Sequence, residues 1–173
     1  MDTKKPYAQR TDIEKVISNW TKTLGLLERG EYSVAVVRAA VSLELAANFV
    51  IRQELVHARN LDFKFVDHLL VWANGLKGKF QLLLIPITKG SNKEQKIKNL
   101  SKRSRVVNDE RNSVAHSGQF KSKKVAQRVV ALAREIIVEL VQTHEPTFQL
   151  GSSRKEQLTL PSTGPARKAA QAG

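Results

Sequence analysis

Between Glu31 and Arg59 apolar residues recur at the three- and four-residue steps of an α-helix, and this is the longest and most alanine-rich such stretch in the chain. It predicts a helix whose stripe reads Val34, Val37, Val41, Glu44, Asn48, Ile51 and Leu55, so two polar residues interrupt an apolar seam. Buried polar groups are costly unless paired, and a buried charge more so. A second stripe offers a partner: Ile97, Leu100, Ser104, Val107, Arg111 and Val114 fall on one face of a helix running from about Lys93 to His116. Periodicity therefore predicts that Glu44 and Arg111 come within hydrogen-bonding reach. Such a pair serves equally as a salt bridge tying two helices together or as part of a site.

The rest of the chain reads as helices around these two. Thr11 followed by Glu14 forms a capping signature, and Ile13, Val16, Ile17, Trp20, Leu24 and Leu27 continue it as a helix that Gly30 ends. Trp20 on that stripe is a core residue. Asp62 to Leu76 is expected to be helical, with Phe63, Val66, Leu69, Leu70 and Ala73 facing inward. Phe80 to Ile87 is expected to be a short helix kinked or stopped near Pro86, since proline argues against a central strand. Lys121 to Thr143 carries two adjacent apolar rows, a face broad enough for more than one neighbour or for a dimer contact. The expected architecture is all-α, a bundle of about five helices over residues 11–144. A loose arm (residues 1–10) precedes it, and a polar, disordered tail (residues 145–173) follows.

Composition narrows the function. The net charge of +13 favours phosphate-rich partners, because the cations are clustered rather than spread. Lys96, Lys98, Lys102, Arg103 and Arg105 lie along the helix that carries Arg111, and Lys121, Lys123 and Lys124 follow it. A groove that tracks a phosphate backbone needs cations placed in this way. The absence of cysteine excludes disulfides, thiolate metal sites and a cysteine nucleophile. No two histidines have metal-ligand spacing, and there is no glycine-rich phosphate loop. His57, His68 and His144 are assigned to the surface or to a satisfied interior. No apolar run is expected to span a membrane, and the start has no apolar segment of a leader, so a cytoplasmic protein is the simplest expectation. Leu160-Pro161-Ser162-Thr163-Gly164 matches a sortase signal. Wall anchoring also requires a following hydrophobic span, which Pro165 to Gly173 lack, so the match is read as coincidence or tag.

The segment Arg111-Asn112-Ser113-Val114-Ala115-His116, closed by Gly118, places an arginine, a polar residue directly after it and a histidine five positions on. It resembles the motif of the HEPN superfamily (higher eukaryotes and prokaryotes nucleotide-binding), and the likeness covers roughly Gly30 to Val141. The resemblance implies a HEPN-like helical bundle and a metal-independent endoribonuclease without a cofactor, of the toxin or defence type. It further implies RNA as substrate, a homodimer with the site at its interface and a neutralising protein partner. Histidine titrates near neutral pH and arginine holds a phosphate in a planar fork of donors. His116 is thus the expected acid/base and Arg111 the phosphate clamp. Asn112, four residues before His116, orients the imidazole or holds the 2′-hydroxyl, and Glu44 supports Arg111.

On an ideal helix Arg111 and His116 stand roughly 140° apart, so one copy makes a poor complete site and two copies meeting across an interface resolve the difficulty. The competing readings are a non-catalytic HEPN-like module that binds RNA, a nucleotide or a protein, and a basic helical scaffold with a chance motif.

Overall fold

The computed structural model describes residues 5–160, and among these every regular element is helical. A short 3-10 turn at Tyr7–Gln9 leads into α1 (Asp12–Glu28) and α2 (Tyr32–Arg52), which widens into a π turn at Gln53–His57. Next come α3 (Phe63–Trp72), and then α4 (Gly75–Gly78), a second π turn (Lys79–Leu84) and α5 (Ile85–Thr88) as one continuous run. The long helices α6 (Glu94–Ser117) and α7 (Lys123–Val141) follow, and α8 (Arg154–Thr159) ends the described chain.

Local signals act as expected at both ends of the bundle. Thr11 Oγ1 accepts from the Glu14 N–H at 3.2 Å while the Glu14 carboxylate accepts from the Thr11 N–H at 2.6 Å, so the capping box satisfies two otherwise orphaned donors. Gly118 closes α6 in the left-handed conformation at φ 61°, where a β-carbon is disfavoured. The helical run stops near Pro86 as expected, ending at Thr88 two residues on, and Pro86 itself sits at the start of α5, directly after the π turn.

The centre of the bundle is α2, which packs against α1, α7 and α6. Its buried face is Ala35, Val36, Ala39, Ala40, Leu43, Ala46, Ala47 and Val50. Over most of α2 this face is rotated from the expected stripe, leaving Val34 49% exposed and Val37, Val41, Glu44 and Asn48 half-buried, whereas Ile51 and Leu55 of that stripe are buried as expected. The cause is the alanine content: large side chains mark a flank, while the small ones mark the side of closest helix approach. Tyr32–His57 is also long enough to cross a membrane and holds an 18-residue stretch with a mean hydropathy of 1.8, which corrects the expectation that no apolar run approaches that length. Most of that window is buried inside the bundle.

Two ion networks fasten the C-terminal end of α2. Arg52 forks onto both oxygens of Asp12 at 2.8 Å and onto Asp67 at 2.8 Å, joining α1, α2 and α3. In the π turn, buried Glu54 accepts from Lys93 at 2.6 Å and Arg59 at 2.7 Å, and lies 3.0 Å from His144. His144 is accordingly a satisfied interior residue, and burial followed by the nearby Lys93 charge lowers its pKa.

The polar tail does not begin at residue 145. Phe148 and Leu150 are both 1% exposed, the Trp20 indole donates to the Gly151 carbonyl at 2.9 Å, and Arg134 donates to the Leu150 carbonyl at 2.6 Å. Two apolar anchors and these hydrogen bonds seat an extended segment that has no helical period to reveal it. Gly151 is required by space, since a β-carbon there would lie 2.4 Å from the Gln157 backbone nitrogen. Gly151→Ala should therefore unseat α8 and cost about 1–3 kcal/mol, read as a lower urea midpoint. Residues 161–164 of the sortase-like motif lie outside the described residues.

Candidate functional site

The basic helix α6 carries the expected motif on its last two turns. Its seam is as the sequence implied: Ile97, Leu100, Ser104 and Val107 are buried, and Arg111 continues the same stripe. Cover thins toward the C-terminus. Arg111, Asn112, Ser113 and Val114 are half-buried, and Ala115, His116 and Ser117 are exposed.

Arg111 does not meet Glu44. Its Nη1 donates to Asn112 Oδ1 at 2.9 Å, while Glu44, 32% exposed, lies 3.8 Å from the Lys79 ammonium. Lys79 is itself buried, donating to the Leu70 carbonyl and to the Ala73 carbonyl at 2.9 Å, so it closes the end of α3. Burial lowers the Lys79 pKa, partly opposed by the Glu44 charge. The expectation failed because α2 is rotated: Glu44 sits on the flank facing the second π turn. Glu44 is thus a structural counter-ion for Lys79.

Asn112 takes a different role from either expected one. Its carbonyl oxygen is engaged by the guanidinium one residue back, which draws Arg111 around the helix toward the face of His116. At about 100° per residue, Arg105, Asn108, Asp109, Asn112 and His116 fall on one continuous face of α6. Beside its upper half lies a cleft of about 310 Å³, which Lys77, Gln81 and Ser101 also line. His116 has no hydrogen-bond partner among the described residues.

The cations separate into two groups. Arg103 bridges Glu139 at 2.6 Å and Glu135 at 2.8 Å, Lys98 pairs with Glu94 at 2.5 Å, and Lys121 pairs with Glu110 at 2.6 Å. The charges of these three are paired in this structure: Arg103 and Lys121 link α6 and the turn after it to other elements, while Lys98 is exposed and its pair lies within α6. Lys96, Lys102, Arg105, Lys123 and Lys124 are exposed, and no carboxylate of the described residues pairs with them.

Glu110 was not singled out from the sequence, although Asp109-Glu110 visibly breaks the basic run. Its carboxylate meets Lys121 and, at 3.2 Å, Arg128, pinning the turn after His116 onto α7. The Lys121 N–H donates to Ser33 Oγ at 2.9 Å, which sets this turn against the first turn of α2. Phe120 in the same turn is 96% exposed, and Val34 is the neighbour of Ser33. An uncovered apolar margin therefore flanks the motif. No known family matches this chain, and neither a curated protein nor a solved structure is significantly similar to it.

Proposed function

We propose that the chain is a metal-independent endoribonuclease of HEPN type, in which Arg111 and His116 act on RNA laid along α6. The observation that carries this reading is the Arg111–Asn112 hydrogen bond, which brings a guanidinium toward the helix face bearing an exposed histidine and uncompensated cations. In the reaction the RNA 2′-oxygen attacks phosphorus and loses its proton to a base. The bond to the 5′-oxygen breaks as that oxygen gains a proton from an acid, leaving a 2′,3′-cyclic phosphate. Arg111 offsets the charge that develops on the phosphorane oxygens. One histidine per chain divides the two proton roles between two copies, and the half-covered Arg111–Val114 seam with exposed Val34 and Phe120 supports association there.

The test is incubation of purified protein with labelled RNA in EDTA, beside the same oligonucleotide carrying 2′-deoxyribose. Cleavage of the first alone, with cyclic phosphate ends, is the expected result, and Arg111→Ala should abolish it to within the background. Dilution below the dimer dissociation constant should extinguish activity. Binding without cleavage would establish instead a non-catalytic RNA-binding module. That reading draws on the lack of any described group orienting the His116 ring.

Salt dependence separates the two groups of cations. RNA affinity should fall steeply with salt, and Lys102→Ala or Arg105→Ala should each lower the slope of log Kd against log salt by about one unit or less. Arg103→Ala should change the slope less than either, because Glu135 and Glu139 already neutralise that guanidinium.

A further inference from the structure

Another cleft, of about 1010 Å³, lies away from α6. It is bounded by α1, the segment before it, Arg38 of α2 and Arg154 of α8. Six cations line it: Lys5, Arg10, Lys22, Arg29, Arg38 and Arg154. Among the described residues Glu14 is the one acidic residue in its wall, and it is already held by Lys5 at 3.2 Å and by the Thr11 N–H.

Two of the arginines are fixed in place without being neutralised. Arg10 donates to Ser18 Oγ at 2.7 Å and to the Lys5 carbonyl at 3.0 Å. Arg38 donates to Asn19 Oδ1 at 3.1 Å, and Asn19 is itself 3% exposed and anchored through its amide nitrogen to the Lys15 carbonyl at 2.9 Å. Neutral acceptors direct a guanidinium while leaving its full charge, whereas Arg52 and Arg103 elsewhere in the protein meet carboxylates. Glu28 reaches Arg154 only at its backbone N–H, at 3.3 Å, and Glu31 pairs with Arg29 at 2.7 Å. No carboxylate of the described residues pairs with the side chains of Arg10, Lys22, Arg38 or Arg154.

The floor of the cleft is Gly25. A β-carbon built there would stand 3.4 Å from Arg29 Nη1 and 4.0 Å from Arg154 Nε, so two guanidinium groups crowd one point. Arg29 is offset by Glu31, but Arg154 beside it and the unpaired Arg10, Lys22 and Arg38 around the same open concavity call for a ligand carrying adjacent negative groups. The cleft has no aromatic residue in its wall, and stacking platforms are what a single-stranded nucleic acid track needs. Its bounded size instead matches a small molecule. Ile17, Leu26 and Leu158 give that molecule an apolar side to rest on.

We propose that this cleft binds a compact, multiply phosphorylated small molecule, at a site separate from the RNA face of α6. Arginine forks take the phosphate oxygens in pairs, and Lys22 adds charge at the exposed rim.

The experiment is calorimetric titration of the full chain with inorganic tripolyphosphate, ATP, AMP and a single-stranded RNA decamer. About 0.15 M salt confines electrostatics to roughly 8 Å. Tripolyphosphate and ATP are expected to bind one per chain and AMP to bind at least tenfold more weakly. Arg154→Glu and Lys22→Glu should each weaken tripolyphosphate at least tenfold, whereas Lys102→Glu on α6 should leave it within twofold. Lys22 is exposed and makes no side-chain hydrogen bond among the described residues, so its variant reports on the site even if Arg154→Glu disturbs α8. Absence of tripolyphosphate binding, or an equal loss in Lys102→Glu, would overturn the proposal. So would tighter binding of the decamer that Lys22→Glu abolishes, which would make the cleft an RNA track. RNA cleavage in EDTA is scored separately, and its failure leaves these titrations unaffected.

Discussion

His116→Ala is expected to slow RNA cleavage by roughly 10²- to 10⁴-fold, the usual span for a positioned acid or base, while RNA binding stays near the wild-type level. The split between rate and affinity follows from exposure. The imidazole is solvent-accessible and bonded to nothing described, so its loss opens no cavity and leaves no buried group unpaired. Affinity comes from the cations along α6, which the substitution does not touch. Single-turnover cleavage measured beside filter binding of uncleaved 2′-deoxy RNA separates the two quantities. Equal cleavage by wild type and variant would mark the activity as contamination. Weakened binding with an unchanged rate would make His116 a contact residue only. Asn112→Ala is informative beside it: freeing Arg111 from Oδ1 should reduce the rate without removing either charged group.

A large effect on stability should come from Glu54→Ala, at about 1–3 kcal/mol, because Lys93, Arg59 and His144 lose the one carboxylate among the described residues that they share, while Lys93 and Arg59 keep access to water. Burial by itself would raise the Glu54 pKa. The hydrogen bonds from Lys93 and Arg59, with the charges of Lys93 and His144, outweigh it and hold the carboxyl down at about 2. A carboxyl whose pKa is lower folded than unfolded contributes its full stabilisation above its ordinary value of 4.5 and loses it as pH falls from there through about 2. The urea midpoint of the wild type should therefore drop between pH 5 and pH 2 more steeply than that of Glu54→Gln. Parallel curves for the two proteins would remove Glu54 from the acid transition. Lys93 immediately precedes α6 and His144 follows α7, so the loss should also loosen the end of the bundle where both helices meet α2.

Much of the helical framework was written locally and could be read there. The Thr11 box, the Gly118 stop and the seam from Ile97 to Val107 depend on neighbours within a turn or two, and hydrogen bonds of that range form in the same way whatever surrounds them. The cationic character of α6 was legible for the same reason. What the local pattern left undetermined was rotation and pairing. In α2 apolar residues and alanines surround most of the helix, so spacing did not choose between two adjacent faces, and only contact with α1 and α7 did. That rotation gave Glu44 to Lys79 and left Arg111 to Asn112. The seating of Phe148, Leu150 and Gly151 was hidden because an extended segment buries a few anchors with no period. The basic cleft was hidden because Lys5, Arg10, Lys22, Arg29, Arg38 and Arg154 are scattered along the chain. Charge density in space is set by which helices meet, and that depends on burial and shape summed over the whole bundle rather than on any one stretch of residues.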